Sequence, residues 1–124
     1  MGRYYQGSIE GKFWFAVQPS DCANRFGVEG VVDEDFDYFI NYEFEEEDLE
    51  SVEEEILNIQ LYLGDKYDKL NKFFDEHSSY NDLELEEIGI SKFDLREFAD
   101  LLMGIEIRDC IIENGYCHFQ GELQ

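Results

Sequence analysis

The chain has 124 residues, with 31 Asp and Glu against nine Lys and Arg and a formal net charge of −22. That length predicts one domain, residues 1–124, and a content of 44% hydrophobic and 16% aromatic residues excludes a disordered polyanion, because such chains lack the apolar surface that offsets ordering entropy. The charge predicts repulsion from nucleic acid and from anionic membrane, and no run reaches the roughly 18 apolar residues of a membrane span.

The N-terminus, Met1 to Gln6, has no apolar segment of the signal-peptide kind and no Ser or Thr at position 6 for myristoylation. Cys22, Cys110 and Cys117 are an odd number of cysteines. Together these predict a reduced, intracellular, cytoplasmic protein. Eleven of the twenty aromatic residues lie in the first 44 positions, so the N-terminal third is expected to supply much of the core.

In chain order, Tyr4 to Ile9 and the aromatic run Lys12 to Gln18 read as two strands of a hairpin turning near Glu10-Gly11. Residues 19–35 read as a loop broken by Gly27 and Gly30, with one helical turn after Ser20. Phe36, Tyr38, Ile40, Tyr42 and Phe44 alternate at period two and predict a half-buried strand. The period then changes. Leu49, Val52, Ile56, Ile59 and Leu63 fall at the spacing of an amphipathic helix, and Leu70, Phe73 and Phe74 continue it. The pattern predicts a helix over about 47–76, bent or broken at Gly64-Asp65. Asn81 caps a short helix to about Ile88. Ser91 opens another, striped by Leu95, Phe98, Leu102 and Ile105 and stopped by Asn114-Gly115. Tyr116 to Leu123 reads as a last strand, a neighbour of the first. The expected fold class is α+β: an antiparallel sheet of three to four strands with three helices packed against one face.

The acid run is the feature that points to function. From Phe26 to Asp65 there are forty residues, fifteen of them Asp or Glu and none Lys or Arg. Seven acids fall within Glu46 to Glu55, about one per 2 Å of helix axis. Duplex DNA carries about one charge per 1.7 Å. A helix macrodipole accounts for acids in a first turn. It does not account for Glu53 to Glu55, and like charges at i,i+4 cost a few tenths of a kcal/mol each. The run therefore predicts a partner-binding surface made of Asp33, Glu34, Asp35, Asp37, Glu43, Glu45, Glu46, Glu47, Asp48, Glu50, Glu53, Glu54 and Glu55. Its expected partner is a basic protein that itself binds nucleic acid.

Other patterns point less far. Asp33 to Asp37 starts like a calcium loop, but Tyr38 and Phe44 stand where that loop needs Gly and Glu. Leu83 to Phe98 resembles a helix-turn-helix, yet its second helix carries only Lys92 and Arg96 against the acids Asp94, Glu97 and Asp100, so the electrostatic footprint of a DNA binder is missing. The separation of Cys110 from Cys117, beside His118, does not fit the short Cys spacing of zinc modules. Ser20-Asp21-Cys22 and His118 form no nucleophile signature, and no phosphate loop or cofactor motif is present. The expectations are no enzyme, no metal and no cofactor.

The opening Gly2-Arg3-Tyr4-Tyr5-Gln6-Gly7-Ser8-Ile9-Glu10-Gly11-Lys12-Phe13-Trp14-Phe15-Ala16-Val17-Gln18 resembles the start of small uncharacterised accessory proteins of large DNA viruses. Tyr80-Asn81-Asp82 and Ile107 to Cys110, with Asn114-Gly115, are similar to that group as well. The resemblance implies a viral accessory protein in an infected host cell and transfers no active residue. Together with the acid run it leads to the expectation of a monomeric, non-enzymatic nucleic-acid mimic that inhibits a host nuclease or other defence factor. The alternative is a regulatory or scaffolding module that recognises protein through apolar helix surface, its near-heptad Leu49-to-Leu63 row pairing helices between chains.

Overall fold

The structure, a computed structural model, describes residues 2–14, 17–33, 38–77 and 80–123. The elements are β1 (Tyr4–Gly7), β2 (Gly11–Lys12), a 3-10 turn (Cys22–Phe26), β3 (Val31–Val32), β4 (Phe39–Glu45), a second 3-10 turn (Glu46–Asp48), α1 (Leu49–Leu63), α2 (Asp65–Glu76), α3 (Asp82–Glu87), α4 (Lys92–Asn114) and β5 (Tyr116–Glu122). The fold is α+β, with an antiparallel sheet in the order β2-β1-β5-β4-β3. Among the described residues, five strands and four α-helices replace the expected three to four strands and three helices.

β5 is the centre of the sheet. It pairs with β1 (Tyr5 opposite Gly121) and along its whole length with β4 (Tyr42 opposite Phe119, Phe44 opposite Cys117), so the terminal strands are neighbours as expected. Alternation puts Ile40, Tyr42 and Phe44 on the buried face with Tyr5, Cys117 and Phe119. The rings of Tyr42 and Phe119 stack at 5.2 Å. Tyr38 keeps the same parity but precedes β4 and is exposed.

α1 follows from its period: Val52, Ile56, Ile59 and Leu63 are all buried, each worth about 1.5–3 kcal/mol. The expected helix over 47–76 is broken, not bent. Gly64 adopts φ +49° and ψ −124°, a conformation that favours glycine, and its N–H closes α1 on Gln60 O at 2.9 Å. α4 begins in a capping box between Ser91 and Asp94 and ends at Gly115, φ +83°.

α4 makes the main helical contact with the sheet and also packs along α1 and α2. The helices are therefore stacked through α4, instead of all three lying on the sheet. With neighbours on both sides, α4 buries Leu101, Met103, Ile107 and Ile111 as well as Leu95 and Phe98, while Leu102 and Ile105 are only half-buried. The expected Leu95-Phe98-Leu102-Ile105 stripe is thus half right. α1 fits close to α4 at Gly104, where a Cβ would stand 2.5 Å from the buried Phe26 ring and 3.2 Å from Ile56.

Two expectations fail in the N-terminal third. In the run from Lys12 to Gln18, the described residues after Lys12 are not strand. Residues 15 and 16 lie outside the described residues, but Gln18 N–H bonds Trp14 O at 2.9 Å, and the Gln18 side chain accepts from Trp14 N–H at 3.1 Å. That local closure outcompetes sheet extension and sends Trp14 against Phe74, Tyr80 and Phe98. The segment read as a loop over 19–35 contains β3, a two-residue edge strand paired to Ile40 and Asn41. The helical turn expected after Ser20 is the one at Cys22–Phe26.

Candidate functional site

The part of the acid run from Glu43 to Glu55 lies on one continuous joint: the end of β4, the 3-10 turn and the first half of α1. Glu43 and Glu45 point away from the core because Tyr42 and Phe44 point into it. The turn is fixed by a reciprocal cap: the Glu45 side chain accepts from the Asp48 backbone, and Asp48 Oδ2 accepts from Glu45 N–H at 2.8 Å. Glu46 and Glu47 are thereby held at the helix entrance. Glu50, Glu53 and Glu54 follow on the exposed side of α1.

The thirteen sequence-predicted acids separate into groups. Glu43, Glu46, Glu47, Glu50, Glu53 and Glu54 are exposed and make no ion pair with any described residue. Glu45 bonds His118 Nε2 at 2.8 Å across the outer face of the sheet, and Asp48 is committed to the turn. Asp33 follows β3, its N–H bonded to Phe39 O at 3.1 Å. Glu34, Asp35 and Asp37 lie outside the described residues, and so does most of the calcium-loop-like segment. Glu55 must be removed from the free surface, because Arg25 Nε binds its carboxylate at 2.7 Å.

That contact belongs to a polar cluster that the sequence did not reveal. Arg25 also binds Glu97 and, at 2.9 Å, Asp100. Gln18 Nε2 donates to Asp100 Oδ1 at 2.9 Å, and Arg96 Nε lies 3.7 Å from Asp100. Asp100 is fully buried and Glu97 nearly so. Burial raises the Asp100 carboxyl above its ordinary value, and the bonds from Arg25 and Gln18 only partly offset this. The partners are 30, 72 and 75 positions from Arg25, so no local spacing could have found them. The cluster ties the Cys22–Phe26 turn to α1 and α4. No buried side-chain polar atom of the described residues is left without a partner.

The helix-turn-helix resemblance corresponds to α3, the turn at Gly89 and the start of α4. Here the second helix is core: Asp94, Leu95, Glu97, Phe98, Ala99 and Asp100 are all buried. A recognition helix needs that surface free. Asp94 is held by Ser91 N–H at 3.0 Å, Tyr62 OH at 2.8 Å and Lys66 Nζ at 3.1 Å.

Cys110 and Cys117 are buried free thiols, whereas His118 faces the other side of the sheet with Glu45. Among the described residues no group of three His, Cys, Asp or Glu side chains is placed to hold a metal. Burial pushes the Cys22 and Cys117 thiols far up, the opposite of an activated nucleophile. No helix among the described residues is long and apolar enough to cross a membrane. Comparison with protein-family models, with curated proteins and with solved structures found no match to this chain.

Proposed function

We propose that this chain is a non-enzymatic, monomeric acidic binding protein that occupies the basic nucleic-acid-binding surface of another protein. It acts as a nucleic-acid mimic, inhibiting a nuclease or other defence factor inside an infected host cell. One observation carries the reading: Glu43, Glu46, Glu47, Glu50, Glu53 and Glu54 stand exposed and without ion pairs among the described residues, on a capped strand–turn–helix joint. A mimic needs charge density on a frame that does not yield, and a helix anchored by four buried apolar residues supplies it. The ordinary fate of acids on a folded surface is partial pairing with nearby cations. Here five of the nine Lys and Arg are engaged elsewhere: Arg25 and Arg96 in the buried cluster, Lys66 on Asp94, Lys92 on Asp82 and Arg108 on Asp109.

The test is the association rate with the captured partner as ionic strength rises. Steering by exposed charge speeds association more than it deepens affinity and falls steeply with salt. A Glu46→Gln/Glu47→Gln/Glu50→Gln/Glu53→Gln/Glu54→Gln variant should associate at least about tenfold more slowly at low salt. An unchanged rate excludes mimicry.

The rival reading, pairing between chains through Leu49 to Leu63, loses its surface. Val52, Ile56, Ile59 and Leu63 are buried within the molecule. Among the described residues, apolar recognition through helix surface is left with the exposed Leu57, Leu61, Tyr62, Leu83, Phe93 and Ile112.

A further inference from the structure

α1 carries a second row of side chains on the side away from the core. Glu50, Glu54, Leu57 and Leu61 recur at spacings of four, three and four, and all four are exposed. That is the spacing of a heptad seam, which keeps one face toward a partner helix over about 16 Å of axis. The row changes chemistry halfway. Its first two turns are carboxylates and its last two are leucines, 54% and 73% exposed. Single exposed leucines are ordinary. Two stacked at i,i+4, in line with an unpaired acidic row, form an apolar ledge. A groove of about 510 Å³ runs beside it, lined by Glu50, Glu53, Glu54, Leu57 and Gln60 on α1 and by Arg108 on α4. Arg108 is bonded to Asp109 at 3.0 Å.

We propose that this outer face of α1 docks a basic amphipathic helix of the partner protein. Leu57 and Leu61 receive its apolar residues, and Glu50, Glu53 and Glu54 receive its Lys or Arg. The inference rests on the acidic-surface reading and names which part of the partner is grasped. Charge complementarity selects the occupant. A second copy of this chain brings another −22 against the same acids, and nucleic acid and anionic lipid are repelled alike. A purely polar cation satisfies the glutamates but leaves the leucines in water. A basic helix with an apolar seam satisfies both halves in register, the acids steering its approach and the buried leucines slowing its departure.

The test uses three labelled peptides of about 20 residues: a Leu/Lys helix with leucines at heptad spacing, the same composition scrambled, and a Lys/Ser peptide of equal charge. Binding to the full chain is followed by anisotropy at about 0.15 M and 0.5 M NaCl. The heptad peptide should bind about tenfold more tightly than either control. Leu57→Ser/Leu61→Ser should abolish that advantage without changing Lys/Ser binding, and Leu83→Ser, at a distant exposed leucine, should change nothing. Glu50→Gln/Glu54→Gln should weaken all three peptides. Failure of the heptad peptide to bind, no preference over the scrambled one, or indifference to the leucine variant overturns the docking face and leaves the charge reading standing. Loss with the leucine variant but indifference to both salt and the glutamine variant overturns the acidic-surface reading, and with it the basic occupant. Melting curves establish that each variant is folded.

Discussion

Replacing Arg25 by Gln removes the cation that holds three carboxylates together, and it should be among the most damaging polar substitutions in the molecule. Asp100 is fully buried, and the side chains of Glu97 and Glu55 are 11% and 21% exposed. Without Arg25, Asp100 keeps Gln18 and the more distant Arg96, while Glu97 and Glu55 lose the only cation bonded to them among the described residues. Breaking a buried ion pair from one side costs about 3–5 kcal/mol. Arg25 is itself a quarter exposed, so water screens part of the loss and about 2–3 kcal/mol is the better figure. At about 2.1 cal/mol/K per residue, this chain has an unfolding entropy of about 0.26 kcal/mol/K, and Tm should fall by roughly 8–12 °C. pH separates this mechanism from lost packing. Removing the guanidinium takes away a bond that lowers the Asp100 carboxyl, so its folded pKa rises beyond what burial already does to it. A group with a raised folded pKa contributes stability that is present below its unfolded pKa and is lost as pH rises through the folded one. The deficit of Arg25→Gln should therefore be full near neutral pH and shrink as the buffer is acidified and the stranded Asp100 carboxyl takes up its proton. Urea unfolding of both proteins across that range is the assay. A variant within about 0.5 kcal/mol of wild type, or a deficit that does not change with pH, refutes the reasoning.

Three further outcomes follow from the packing. Burial raises the Asp94 carboxyl, but the bonds from Ser91, Tyr62 and Lys66 outweigh it and hold the group below its ordinary value; its stabilisation is thus present above the unfolded pKa and lost as pH falls through the folded one. Asp94→Asn should cost about 1–2 kcal/mol at neutral pH, and a gap from wild type that does not narrow as the buffer is acidified contradicts the assignment. Gly104→Ala gains about 1 kcal/mol of helix propensity but drives a methyl into the buried Phe26 ring, so a net loss of about 1–2 kcal/mol is expected, and a rise in Tm shows that the ring yields. The chain should give no electrophoretic shift of duplex DNA at about 0.1 M salt, since phosphate contacts require free Lys and Arg; a shift abolished by Arg96→Ala reverses that conclusion.

What the sequence made legible was decided by the range of the forces involved. α1, the caps at Asn81 and Ser91 and the stop at Gly115 depend on neighbours within a few positions, and all were readable. The strand expected over Lys12 to Gln18 failed because its aromatic composition fits a sheet, while the Gln18 amide and the Trp14 backbone close a turn. β3 is too short to show a period. α4 hid its burial pattern because it packs on the sheet and on α1 together, so one stripe cannot describe it. The acidic surface was legible as composition but not in outline. Glu55 looks like its neighbours in the sequence, and only the fold brings Arg25 to it across 30 positions.

The central claim is that the exposed glutamates of the β4–α1 joint stand in for phosphates. Its most direct test is displacement. The partner, isolated from the native cell and loaded with a labelled oligonucleotide, is titrated with this chain at about 0.15 M NaCl. The account predicts stoichiometric release of the oligonucleotide, weakened by about 0.5 M NaCl and lost when Glu46, Glu47, Glu50, Glu53 and Glu54 are all changed to Gln. A stable ternary complex that keeps its oligonucleotide and survives the higher salt contradicts it.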